Sequence, residues 1–247
     1  MTLAFQSSPV DVLAVSGHPD DVELTCGGTL ARFAAAGRTV GILDLARGEM
    51  GTRGTPEQRE EEGRRAAEIL GASFRHTLDF GDGGLRTGRA EELALIEEIR
   101  KARPRLLFAP FPEDRHPDHA RAGRLAADAA FYAGLRKLET ASPAHRPQQV
   151  IFFSTMHEHR PQFVVDVTAT HEIKMRAILA FASQFHDPAS TAPQTMLSQE
   201  TFLGFVEGRA RNVGGSIGVA FGEGFISMRP PRIDDLIAAF EGFEPGF

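Results

Sequence analysis

Hydrophobic and polar positions follow two different spacings along the first 155 residues. Short apolar runs bounded by turn residues are typical of buried strands, and apolar residues recurring every three or four positions are typical of helices. Strands are predicted at Val10–Ser16, Thr39–Leu45, Phe74–Leu78, Arg105–Ala109 and Val150–Ser154, and helices at Val22–Ala36, Pro56–Leu70, Glu91–Arg103 and Pro117–Leu135. The alternation predicts an α/β fold with a Rossmann-like, mostly parallel sheet and helices on both faces.

The pattern changes after residue 155. A strand is predicted at Gln162–Val167, helices at Thr168–Phe181 and Thr201–Asn212, and an additional, edge strand at Ile217–Ser227. The C-terminal extension thus adds one or two strands. Ser183–Ser198 has no periodicity and is long for a plain connection, which favours a mobile loop or one that docks on a neighbouring subunit. No linker or repeat divides the chain, so residues 1–247 are expected to form a single domain.

Composition narrows the class of protein. Hydrophobic residues make up 42% of the chain and the net charge is −6, without a basic cluster, which argues against a nucleic-acid partner. No apolar run reaches the roughly 18 residues of a membrane span, and the N-terminus lacks a signal-peptide pattern. The single cysteine, Cys26, rules out an internal disulfide and fits a reducing cytoplasm.

Two similar polar clusters follow two of the predicted strands. H-P-D-D begins at His18 after the first strand, and H-P-D-H begins at His116 after the fourth. Open α/β sheets bind ligands at the carboxyl ends of their strands. Two neutral imidazoles and a carboxylate suit Zn²⁺ and leave an open position for water. Spacing alone does not decide whether His116 or His119 is the second imidazole. If a cluster were only structural, its carboxylates would favour the first turn of a helix.

The paired clusters resemble the PIG-L/LmbE family of zinc-dependent N-acetylglucosaminyl deacetylases. Further segments resemble the branch that deacetylates N-acetylglucosaminyl malate in bacillithiol biosynthesis: Gly48–Thr55, Glu113–His119, Ser183–Phe185 and Glu223–Phe225. The resemblance implies one Zn²⁺ per chain, bound by His18, Asp21 and His119. Enzymes of this kind are often hexamers, so a homo-oligomer is expected.

The resemblance also suggests catalytic roles. Asp20 is expected to act as general base on the metal-bound water, the alternative being a second carboxylate at a helix start. His116 is expected to stabilise the oxyanion as an imidazolium, with Asp118 holding it protonated; Asp118 as a helix N-cap is nearly as good an interpretation. Some relatives use a tyrosine near the oxyanion. Here the only tyrosine is Tyr132, and Phe202 stands at the matching place.

Substrate contacts are expected from loops near the clusters. Arg53 is a candidate for binding the malate carboxylate, because its guanidinium forms bidentate pairs; the alternative is a surface arginine. Glu49, Arg115 and His159 are further candidates. The predicted substrate is a small N-acetylglucosaminyl conjugate. Mycothiol-type, chitobiose-like and lincosamide-type conjugates are alternatives to malate, and a non-catalytic carbohydrate-binding protein on the same fold is a competing function.

Overall fold

The computed structural model describes residues 8–154 and 160–241. In chain order the elements are β1 (Val12–Ser16), α1 (Asp21–Ala35), β2 (Val40–Asp44), α2 (Pro56–Leu70), β3 (Phe74–Thr77), α3 (Arg89–Ala102), β4 (Leu106–Pro110), α4 (Pro117–Ala133), β5 (Gln149–Phe153), β6 (Phe163–Asp166), α5 (His171–Leu179), α6 (Phe202–Gly215) and β7 (Gly222–Ser227). No helix within the described ranges is both long enough and apolar enough to cross a bilayer.

The strands form one mixed sheet in the order β3-β2-β1-β4-β5-β7-β6. The first five strands are parallel, which confirms the predicted α/β fold. The extra strand was predicted at an edge, and that was wrong: β7 lies between β5 and β6 and is antiparallel to both. It is also shorter than predicted, because the amides of Ile217 and Val219 donate to the Gly214 carbonyl and extend the turn after α6.

Successive side chains of each strand point to opposite faces of the sheet and pack into two hydrophobic cores, one on each face. Leu13 and Val15 of β1 belong to the core under α3 and α4, whereas Val12 and Ala14 belong to the core under α1, α2, α5 and α6. All four side chains are at most 1% exposed. This burial on both faces explains why Val12–Val15 of β1 form an unbroken apolar run.

A buried ion pair connects α1 to the C-terminal part of the chain. Lys174 Nζ on α5 lies 2.6 Å from Glu223 Oε1 on β7. The same carboxylate accepts hydrogen bonds from the backbone amides of Gly28 and Thr29 and from the Thr29 hydroxyl. Each polar atom of Glu223 is therefore satisfied inside the protein, as a buried charge requires.

The centre of the sheet brings the two polar clusters together. β1 pairs with β4 on one side and with β2 on the other, so the strand order reverses at β1. The loop after β1 starts at Gly17 and the loop after β4 starts at Phe111. Both leave the sheet at its carboxyl edge, at the topological switch point where such sheets bind ligands.

Candidate metal and active site

Three ligand-type side chains converge at the switch point. His18 Nδ1 lies 3.3 Å from His119 Nε2, and His119 Nε2 lies 3.1 Å from Asp21 Oδ1. His18 Nδ1 lies 3.7 Å from Asp21 Oδ2, an oxygen that also accepts the backbone amides of Gly17 and His18. One ring nitrogen each of His18, His116 and His119 also lie within 4.8 Å of one another, and so do ligand atoms of His18, Asp82 and Asp118. A metal ion could therefore be held by any of these three sets.

A carboxylate lies next to one ring nitrogen of each buried imidazole, His18 and His119. His18 Nε2 lies 2.9 Å from Asp82 Oδ1, and His119 Nδ1 lies 3.3 Å from Asp114 Oδ1. Burial lowers the pKa of His119, but Asp21 and Asp114 outweigh this effect and raise that pKa to about 9. A carboxylate that accepts the proton of one ring nitrogen fixes the tautomer and leaves the other nitrogen free for a metal.

Asp20 has an unusual backbone conformation at the start of α1. Its φ of 99° lies in the left-handed region, which is uncommon for a residue with a side chain and is often found at functional sites. Its carboxylate does not cap α1 and accepts instead from Arg59 Nη2 at 3.2 Å. Burial raises the pKa of Asp20 to about 7, although the Arg59 guanidinium opposes the shift. Asp20 is therefore a buried carboxyl poised to exchange a proton near neutral pH.

His116 is the N-cap of α4, and its ring is partly exposed. Nδ1 accepts the backbone amide of Asp118 at 3.2 Å, so the ring proton resides on Nε2. The ring stacks on His119 with centroids 4.5 Å apart. Burial lowers the pKa of His116, and the neighbouring rings of His119 and His18 lower it further. These contacts favour a neutral imidazole that donates through Nε2, which differs from the imidazolium expected from the sequence.

The Asp118 carboxylate was expected to contact His116, but it contacts other groups. It accepts the backbone amides of Gly83 and Leu85 and lies 3.5 Å from His18 Nε2. The His18 contact holds the pKa of Asp118 well below its usual range. Its backbone amide, rather than its side chain, bonds His116. Asp118 thus supports the His18 ring and the loop between β3 and α3.

Most of these side chains, though not Asp114 or Asp118, line one cavity of about 350 Å³. Its polar lining residues are His18, Asp20, Asp21, Arg59, Asp82, Arg115, His116, His119, Gln184 and Arg209, and its large apolar ones are Leu24, Met50, Met196, Leu197, Phe202, Phe205 and Val206. Phe202, the residue matched to the tyrosine of some relatives, is thus part of the cavity wall. Tyr132 packs against the core on the other side of the sheet. Arg115 is exposed and is one of the cavity-lining residues.

Arg53 is not oriented for the predicted carboxylate contact. It is only 7% exposed and does not line the cavity. Its guanidinium donates to the Ser183 carbonyl, the Ser190 hydroxyl and the Pro193 carbonyl, so its donors are directed at the loop before α6. That loop therefore packs against its own chain in the described structure. The contact joins residues about 130 positions apart, which local sequence could not reveal.

Glu49 and His159 are the two other residues that were predicted to bind the substrate. Glu49 does not line the cavity. It accepts the backbone amides of Asp82 and Arg47 and so holds the loop that carries Asp82. His159 lies outside the described residues.

Sequence reasoning missed three functional candidates. Asp114 lies two residues before the second polar cluster, and Asp82 follows β3 at the same sheet edge, so both had a detectable signal. Arg59 had a weaker one, because it lies on α2 among other charged residues. It is nevertheless 5% exposed and donates to the carbonyls of Pro19 and Gly48 as well as to Asp20.

This chain is similar to proteins of a known family. The family described as PIG-L: GlcNAc-PI de-N-acetylase matches residues 13–130. The diacetylchitobiose deacetylase of Thermococcus kodakarensis is 36% identical over 70% of this chain and 70% of its own length. A 1D-myo-inositol 2-acetamido-2-deoxy-alpha-D-glucopyranoside deacetylase of Segniliparus rotundus is 31% identical over 56% of this chain and 55% of its own.

Solved structures extend the match along the chain. A conserved protein of Thermus thermophilus superposes with a TM-score of 0.83 at 42% identity, over 91% of this chain and 97% of that one. The 4-carboxy-2-hydroxymuconate hydratase of Pseudomonas putida superposes with a TM-score of 0.76 at 25% identity, over 94% and 100%. The polar clusters, the fold and the relatives together place this chain in the PIG-L family of deacetylases, hydrolases that act on amide bonds.

Proposed function

We propose that the protein is a zinc-dependent deacetylase that hydrolyses the acetamide of an N-acetylglucosaminyl conjugate. The convergence of His18, Asp21 and His119 carries the proposal. Tetrahedral zinc with ligands at about 2.0–2.1 Å separates its ligand atoms by about 3.3 Å. The 3.3 Å between His18 Nδ1 and His119 Nε2 and the 3.1 Å between His119 Nε2 and Asp21 Oδ1 are close to this value, whereas the 3.7 Å contact of His18 Nδ1 is with the other carboxylate oxygen, Asp21 Oδ2. The donor set of two imidazoles and one carboxylate suits zinc, and Asp82 and Asp114 would hold the imidazoles as metal ligands.

When bound, zinc supplies Lewis-acid polarisation and acidifies a water molecule. Asp20 takes the proton of the attacking water as the new C–O bond forms, and its pKa of about 7 suits that task. Neutral His116 donates from Nε2 to the carbonyl oxygen as negative charge develops there. Asp20 then returns the proton to the amine nitrogen as the C–N bond breaks. The products are acetate and the free amino sugar.

The candidate substrates differ in the aglycone attached to the sugar. The sequence motifs favour malate, whereas the named relatives act on diacetylchitobiose and on an inositol glycoside. Arg53 is directed at the loop before α6. Among the described residues that line the cavity, Arg115 is the exposed cation that could bind a malate carboxylate. The malate conjugate thus remains a candidate that depends on Arg115.

An amine-release assay tests the function and ranks the conjugates. The substrates are N-acetylglucosaminyl malate, N-acetylglucosaminyl inositol, diacetylchitobiose and free N-acetylglucosamine. Binding without amine release from any of them would favour a carbohydrate-binding protein and contradict the proposal. Arg115→Ala should reduce turnover of the malate conjugate alone if that is the substrate.

Two variants separate metal binding from proton transfer. Asp20→Asn should retain zinc but lose turnover, because an amide does not accept a proton from water at neutral pH. His119→Ala should lose most of the zinc as well as turnover. A fully metallated His119→Ala protein would assign the third ligand position to His116 instead.

A further inference from the structure

Part of the cavity wall is apolar and comes from three separate stretches of chain. Met50 belongs to the loop after β2, Met196 and Leu197 to segment 183–198, and Phe205 to α6. Met50, Met196 and Phe205 are 71%, 39% and 48% exposed, so they are open to a ligand rather than part of the core. Apolar side chains that are exposed together in a pocket mark a binding surface, because covering them with an apolar group of a ligand is favourable.

Arg53 fixes the segment that contributes Met196 and Leu197. Its Nε donates to the Ser183 carbonyl at 2.9 Å, and its Nη2 donates to the Ser190 hydroxyl at 3.0 Å. These bonds start from a side chain that is itself almost completely buried. The segment therefore has a charged anchor that links it to the loop before α2.

Further hydrogen bonds hold the segment at its two ends. Glu62 accepts the Ser183 amide at 2.8 Å and the Ser183 hydroxyl at 2.7 Å, and Gln184 donates to the Arg53 carbonyl at 2.7 Å. At the other end, Ser198 and Thr195 exchange hydrogen bonds across the turn that carries Met196. The apolar wall is thus preformed, and a ligand need not supply the free energy to order it.

We propose that Arg53 is a positioning residue that holds segment 183–198 at the cavity, where Met196 and Leu197 bind an uncharged, apolar part of the aglycone. This inference rests on the proposed hydrolysis of an N-acetylglucosaminyl conjugate. Burying one methylene changes affinity about fourfold. A hexyl glycoside that covers part of the wall should therefore exceed the methyl glycoside by about tenfold or more in kcat/KM.

The test compares methyl and hexyl N-acetylglucosaminides. The hexyl-to-methyl ratio of kcat/KM should fall to about threefold or less in Met196→Ser, which removes the apolar contact, and in Arg53→Ala, which releases the segment. The loss should appear in KM, with kcat and zinc content retained, and Arg53→Lys should be intermediate. Met228→Ser, an exposed methionine outside the cavity, and Arg47→Ala, a half-buried arginine of the same loop as Arg53, are matched controls.

Two results would overturn the inference. One is a hexyl-to-methyl ratio near one in the parent protein, which would mean that the wall does not meet the aglycone. The other is a loss in Arg53→Ala confined to the malate conjugate, which would make Arg53 a carboxylate-binding residue after all. The affinity for both glycosides can also be measured by calorimetry, which does not require turnover. Tighter binding of the hexyl glycoside without amine release would therefore refute the deacetylase function and still support the apolar contact at Met196 and Leu197.

Discussion

Asp82→Asn tests whether the carboxylates behind the imidazoles control metal binding. The two oxygens of Asp82 accept from different donors: Oδ1 faces His18 Nε2 at 2.9 Å, and Oδ2 accepts the Met50 amide at 2.9 Å. An asparagine offers one oxygen and one NH₂ group. Whichever way the amide turns, one of these donors meets another donor. The substitution keeps the shape of the side chain and changes only its charge and hydrogen bonding.

The expected loss follows from the role of such partners. Substituting an outer carboxylate typically weakens metal affinity or activity about 10- to 100-fold, which corresponds to about 1.4–2.7 kcal/mol. We expect the zinc affinity of Asp82→Asn to fall within that range, measured by competition with a chromophoric chelator. Asp128→Asn, an exposed aspartate on α4, is the matched control. Zinc affinity within twofold of the parent would refute the assignment of His18 Nε2 to Asp82 and of Nδ1 to the metal.

Three further predictions concern stability and are measured by urea unfolding. Glu223→Gln leaves Lys174 buried without a counter-charge and should cost about 3–5 kcal/mol; a cost under 1 kcal/mol would show that water or a neighbour compensates. Gly123→Ala should destabilise strongly, because its Cβ would lie 2.2 Å from the Pro110 carbonyl oxygen. Gly208→Ala, with open space around its Cβ inside α6, should instead stabilise by about 0.4–1 kcal/mol. Equal effects of the two glycine substitutions would contradict the packing described at Gly123.

The convergence of the two polar clusters could be predicted from sequence for a simple reason. Parallel strands that alternate with helices place their carboxyl ends along one edge, so residues after β1 and β4 meet whenever those strands are neighbours. His18 and His119 are 101 positions apart in sequence and 3.3 Å apart in space. Helix caps are equally local: Thr55 accepts the Gln58 amide at the start of α2, the hydrogen bond typical of a threonine just before a helix.

Side-chain direction could not be predicted in the same way. Arg53 and Arg59 lie close together in a charged stretch, yet one anchors the loop before α6 and the other reaches Asp20. That choice depends on segments that pack from distant parts of the sequence. The two His-Pro-Asp tripeptides also look alike, but Asp20 takes a left-handed backbone while Asp118 lies within a helix. Identical letters therefore carry different geometry once the strand and helix around them are fixed.

The strand lengths have a consequence for how copies of the protein meet. Both edge strands, β3 and β6, contain four residues, whereas every interior strand contains five or six. A short edge exposes few unpaired amides and carbonyls, so it is a poor template for adding a strand from another chain. Insertion of β7 between β5 and β6 leaves the shorter strand outermost and the longer one protected. Strand addition at either edge of the sheet is thus disfavoured, and self-association of the protein would use contacts between side chains instead.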